Sequence, residues 1–255
     1  MTIGLDWLPN TAFLYLLLFA RIGSILMLMP AFGENMIPVR MRLSFSLAFT
    51  LVVYPLLSPN LPSMPVETMD IVGLILHEIA IGIMIGAISR MFVMATQVAG
   101  AVIAFQSGLS VAMTADPTQG GVQGAVFGSF LSFLGMTLIF ATDLHHLALA
   151  ATYESYKIFS PTDPLMFEDA AQLAIRTLSS AFTIGIQMAA PFIVFGLVFN
   201  LGAGILARLM PAMQVFFVLM PANILVGLTL FGMLLTMMMG WYLTGFEQHI
   251  AMWRG

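Results

Sequence analysis

Leu209–Phe246 reads LMPAMQVFFVLMPANILVGLTLFGMLLTMMMGWYLTGF, and no side chain in it carries a charge. Such a run is stable as a helix surrounded by lipid or by apolar protein, because a helix satisfies its own backbone hydrogen bonds. About 20 residues suffice to cross hydrocarbon, so the run is too long for one simple crossing. Pro211 and Pro221 punctuate its first third. Pro211 is read as the start of a short helical arm and Pro221 as a kink before the last span. One long, tilted helix is equally allowed.

Working outward, apolar runs of spanning length recur along the chain. Six candidate spans emerge: Thr11–Met29, Leu43–Leu57, Ile71–Val93, Val126–Ala148, Leu178–Phe199 and Ala222–Gly245. The second is short and meets Pro55 near its end. The runs lack period-2 alternation and are rich in Leu, Met and Ala, which favours helices over strands. The expected fold class is therefore all-α, a hydrophobic membrane protein of long helices. A second charge-free stretch, from Ala95 through Ala115, has no simple span assignment. Three connectors stand out: the proline-rich turn Ser58–Pro65, the Gly-rich segment Gly108–Gly124, and Tyr153–Gln172, which holds most of the remaining charge.

Composition agrees. The chain has 255 residues, of which 60% are hydrophobic and 8% charged, against roughly 25% charged in an ordinary soluble domain. That excludes a free soluble enzyme, a disordered chain and a disulfide scaffold. Net charge is −4 with a single lysine, Lys157, so no basic face exists for nucleic acid. There is no cysteine for a disulfide or a thiolate metal site. Asp6 stands where a signal peptide would carry basic residues, so the first apolar run is expected to stay in place. Arg40 and Arg42 put the first loop in the cytoplasm by the positive-inside bias, and Glu67 and Asp70 put the second outside. Six spans then leave both termini outside and the Arg208 turn inside.

Enzyme signatures are missing from the sequence. His77-Glu78 opens like a zinc-protease helix, but Ile81 stands where the second histidine belongs. His145 and His146 are adjacent, and a helix would point them about 100° apart. Neither a nucleophile elbow nor a phosphate-binding Gly-rich loop occurs. No cofactor and no metal are expected. The charges near or inside spans are Arg21, Glu78, Arg90, Asp143, Arg176 and Arg208, each needing a partner, water or an interface position. In a transporter, Glu78 or Asp143 would be a proton or ion site. Alternatively Arg90, Arg176 and Arg208 snorkel from span ends, while Arg21 pairs with an acid of another helix or subunit.

Small residues recur at helical spacing. Gly82 and Gly86 form a GxxxG, and Gly120, Gly124, Gly128 and Ser132 repeat every four residues, so each set could admit a close helix. Methionine is abundant, 22 in all with Met237–Met239 consecutive. It suits surfaces that repack around varied partners, or simply replaces leucine. The most informative segment runs from Gln106 to Gly124. It is rich in glycine and hydroxyl side chains, and Asp116-Pro117 signals a turn or a helix start. It is a plain exposed loop or a re-entrant, pore-lining segment, the latter because irregular backbone at membrane depth needs protein or a water-filled cavity around it.

Several ordered patterns then coincide. They are Arg21-Ile-Gly23, Pro30-Ala-Phe-Gly33, Ile37-Pro-Val-Arg40, Glu78 with Gly82 and Gly86, and Ala99 through Leu109 with Asp116-Pro117. Pro191, Asn200-Leu-Gly-Ala-Gly204 and Arg208-Leu-Met-Pro211 complete the set. In order and spacing the chain resembles the FliR family of flagellar biosynthesis proteins, part of the type III secretion export gate. It departs from the family after Pro211, where Ala212–Phe216 replaces a common Gln-x-Asn-Val-Phe. It departs again around Ala222-Asn223, where a basic residue is frequent.

The resemblance implies a channel role without catalysis, beside FliP-like, FliQ-like and FlhB-like subunits, in the bacterial inner membrane at the flagellar basal body. Unfolded export substrates would be the cargo, and membrane lipid a further contact. It implies a FliP-like part over 1–175 and a FliQ-like helical hairpin over 176–255, with turn and partner contacts at Arg208, Pro211 and Phe216. The segment 106–124 would be the plug, with Gln106, Ser107, Gly108, Ser110, Met113, Asp116, Pro117, Gly120 and Gly121 as its pore residues. Arg21, Glu78, Arg90 and Asp143 would be intramembrane or interface charges. A homologous virulence secretion system is the alternative, and a small-molecule or ion transporter a further one.

Overall fold

The computed structural model describes residues 8–34, 37–109, 125–163, 167–211 and 214–254. Among these, every regular element is helical: α1 (Leu8–Leu28), α2 (Val39–Leu57), α3 (Thr68–Met91), α4 (Met94–Gln106), α5 (Ala125–Ala141), α6 (Leu144–Ile158), α7 (Phe167–Leu209) and α8 (Val215–Ala251). Short 3-10 turns occupy Ser58–Asn60 and Met252–Arg254. By length and composition five helical stretches could cross a membrane, with α3 and α4 counted as one, or six if α5 and α6 form one broken span. The all-α expectation holds.

Three local expectations need correcting. Val126–Ala148 is two helices, parted at Thr142 and Asp143. Asp143 adopts a left-handed conformation with φ 60°, which a short polar side chain tolerates, and neither Gly nor Pro marks the break. Pro211 starts no helical arm; it lies in the turn after α7, and the next helix begins at Val215. Lacking an N–H, proline fits a turn as well as a first helical turn. Tyr153–Gln172 is largely helical. Lys157 lies in the last turn of α6, and Glu168 and Asp169 in the first turn of α7, each sign matched to its end of the helix dipole.

The chain forms two compact units. The first comprises residues 1–92, 139–177 and 247–255, and α1 is its centre. Leu17, Leu18, Ile22 and Ile25 of α1 are fully buried. The α1 helix packs chiefly against α3, and the Gly82/Gly86 repeat explains how closely. A Cβ on Gly82 would come within 2.6 Å of the Ser24 Cβ and 2.7 Å of the Arg21 carbonyl oxygen; one on Gly86 would come within 2.7 Å of the Leu28 Cβ. That repeat is used within the chain, where small residues let two helices touch backbone to backbone.

The second unit comprises residues 93–138 and 178–246. Here α4 and α5 are joined by hydroxyls: Thr96 Oγ1 and Ser132 Oγ lie 2.6 Å apart, and Gln97 Nε2 donates to Ser132 Oγ at 2.9 Å. Phe231 of α8 receives Phe127 and Phe130 edge-on at 4.8 and 5.8 Å. The long helices stay largely bare: Val194, Leu197 and Val198 of α7 and Phe217, Leu225 and Met233 of α8 are exposed.

Candidate functional site

In sequence, the Gly-rich segment follows the end of α4 in the second unit. Ser110, Met113, Asp116, Pro117, Gly120 and Gly121 lie outside the described residues, as do Gly120 and Gly124 of the four-residue repeat. The stem of the loop, Gln106–Gly108, is described. Ser107 ends α4, its N–H and hydroxyl both donating to the Ile103 carbonyl at 2.9 and 2.8 Å. Gly108 then turns the chain with φ +71°, a conformation that costs other L-residues about 1–2 kcal/mol.

Both long helices close on this stem. From α8, Asn223 Nδ2 donates to the Gln106 carbonyl at 3.5 Å and would sit 2.7 Å from a Cβ on Gly108. Gly227, one turn further on α8, leaves room for Ser107, and Gly196 of α7 leaves room for the Gln106 side-chain amide. The stem is therefore clasped by shape and by one long hydrogen bond. Gly196 and Gly227 carry no mark in the sequence, and Asn223 stands out there only as a departure from the family pattern; the further signal is an amide side chain inside a charge-free run.

In the first unit the structure brings together Arg21 and Glu78. Arg21 is fully buried, and its Nε and Nη2 donate to the two carboxylate oxygens of Glu78 at 2.7 and 2.6 Å. Its Nη1 donates to the Ser155 and Phe159 carbonyls at 3.2 and 2.8 Å at the end of α6, where the Ser155 oxygen also accepts the Phe159 N–H at 2.9 Å. The Tyr156 ring lies 4.1 Å from the guanidinium carbon, and Tyr156 Oη donates to the Leu18 carbonyl at 3.2 Å. One arginine thus ties α1, α3 and the end of α6. Both Glu78 oxygens are occupied by this bidentate pair, the strong form of a charged hydrogen bond, so Glu78 is built as a counter-ion.

The remaining predicted charges lie elsewhere. Arg90 Nη1 donates to the Gly33 carbonyl at 3.2 Å. Arg208 lies in the last turn of α7, with Pro211 in the turn beyond it and Phe216 in the first turn of α8. Asp143, His145 and His146 place one ligand atom each within 4.8 Å of the others. The expected divergence of the two histidines fails because their rings lie 4.0 Å apart. Asp143 and His146 side chains are 78% and 69% exposed, so water competes with any ligand there.

Comparison with known proteins adds the family. Residues 12–249 match the family model described as bacterial export proteins, family 1. A flagellar biosynthetic protein FliR from Caulobacter vibrioides is 44% identical over 86% of this chain and 87% of its own length. The Bacillus subtilis protein of the same name is 30% identical over 83% and 82%. The Yop proteins translocation protein T of Yersinia pestis is 24% identical over 85% and 83%.

Proposed function

The chain belongs to the bacterial export proteins of family 1, and on that premise we propose that it is a subunit of a flagellar type III secretion export gate in the inner membrane. In this reading it helps form and seal the channel for unfolded flagellar proteins. The loop from Ser110 to Gly124 is the plug, and the clasp on Gln106–Gly108 is its anchor. The observation that carries this is the stem itself: a Gly-rich segment rooted by a left-handed glycine and one weak amide contact between two long apolar helices. Gly-rich backbone moves aside cheaply, and a seal for varied cargo binds no one sequence strongly.

The bare faces of α7 and α8 support membership of a larger assembly. Val194, Leu197, Val198 and Leu201 on α7, and Phe217, Val218 and Leu225 on α8, are each at least 60% exposed. FliP-like, FliQ-like and FlhB-like subunits are the partners this reading names, with 1–175 as the FliP-like part and 176–255 as the FliQ-like hairpin. It assigns no catalytic step. Identity of 44% to a flagellar protein against 24% to a Yersinia translocation protein favours the flagellar system; deletion should abolish swimming. The test is site-specific crosslinking of a stalled export substrate. A photoreactive residue at Met113 should capture cargo, whereas one at the outward Leu51 should not. Equal capture at both positions, or none at Met113 during active export, would overturn the plug assignment.

A further inference from the structure

An apolar cavity of about 280 Å³ in the first unit has no role in the export reading. Leu26, Phe32, Met41, Phe45 and Phe140 form its apolar wall, and Arg42 contributes the single charged side chain. A liquid water takes about 30 Å³, and cavities with apolar walls stay dry and accept hydrocarbon. The space therefore suits several heavy atoms of an apolar chain.

The charge beside it lacks an acidic partner among the described residues. Arg42 Nη1 and Arg90 Nη1 both donate to the one Gly33 carbonyl, at 3.1 and 3.2 Å. No carboxylate pairs with either arginine among the described residues, and the Arg42 Nε donor is buried without an acceptor. Two cations sharing a neutral oxygen, one of them lining an apolar pocket, call for an anion, since an unpaired charge near hydrocarbon is costly. The outer face of α2 continues the apolar surface: Leu51, Val52 and Leu56 are 60–69% exposed.

We propose that this cavity binds one anionic phospholipid, an acyl chain lying against Phe32, Phe45 and Phe140 and the phosphate accepting from Arg42. A phospholipid brings an anion and a hydrocarbon chain in one molecule, and it is the solvent of any apolar helix face turned to a membrane. A partner protein covering α2 would have to supply both separately. Planar guanidinium is the side chain best shaped for a phosphate. Arg40 supplies the internal control, being exposed on the same helix and absent from the cavity wall. The proposal stands apart from the export-gate reading.

Native mass spectrometry of the full-length chain, purified in an uncharged detergent and supplied with phosphatidylglycerol or phosphatidylcholine, tests it. One phosphatidylglycerol should be retained in preference. Arg42→Gln should lower its retention about tenfold, the loss of a charge-assisted hydrogen bond, while Arg40→Gln leaves it unchanged. Met41→Trp fills the cavity without touching the charge, and it should also lose the lipid. That variant carries the test if Arg42→Gln fails to fold. Equal retention of the two lipids would overturn the proposal, as would equal losses in the Arg40 and Arg42 variants. Competition by inorganic phosphate alone would reduce the site to one for a free anion, and persistent delipidation with a co-purifying protein on α2 would assign the face to a partner.

Discussion

The Arg21–Glu78 centre and the loop stem solve opposite problems with similar helices. Around Arg21 the chain buries full charges and satisfies them internally, with four guanidinium hydrogen bonds tying α1 to α3 and to the end of α6. At the stem no ion pair is used; glycines and one amide hold the loop root. The first arrangement is rigid, because removing either charge strands the other in an apolar interior. The second is loose, because each contact is small. The same hydrophobic composition therefore accommodates a buried ion pair in one unit and a lightly held loop stem in the other.

That contrast can be broken most severely at Arg21. Arg21→Ala or Glu78→Ala should each cost about 3–5 kcal/mol, whereas Arg21→Met combined with Glu78→Leu should recover most of it. Thermal unfolding of the four proteins in one detergent checks this; additive losses in the double variant would refute an interior pair. Next comes the α1–α3 seam, where Gly82→Leu should cost about 1–3 kcal/mol through overpacking, read in the same unfolding assay. A wild-type midpoint would mean the helices lie further apart than described.

The stem should respond differently. Asn223→Ala removes one long hydrogen bond, so stability should change by no more than about 0.5–1.5 kcal/mol while ion leakage through the assembled gate rises. A large fall in stability without leakage would make Asn223 a packing residue. Smallest for the isolated chain is the bare hairpin. Leu201→Ser should leave its unfolding within about 0.5 kcal/mol yet reduce recovery of the partner subunits on co-purification. Unchanged recovery would show that lipid covers this face.

The helices were legible because apolar runs of spanning length have few alternatives to helix; five of the six expected spans fall chiefly on one helix each, and Val126–Ala148 falls on two. The ends were less so. The α7 helix begins at Phe167, well before the expected Leu178, because charged residues at its first turn read as loop while the helix dipole welcomes them. The break at Asp143 left no glycine or proline to read. Arg21 was recognised as needing an acid, but the choice of Glu78, 57 residues away, depends on how α1 meets α3. Gln106–Gly108 stood out by composition; Asn223, Gly196 and Gly227 did not, since what matters is which face of each long helix meets the stem.

The most direct measurement of the central claim is membrane permeability in cells carrying the assembled gate with Ser110–Ala115 deleted. The account predicts increased leakage of ions and small solutes, with the subunits still co-purifying. Unchanged permeability in a normally assembled gate would contradict it, leaving the loop a bystander and the seal to another part of the channel.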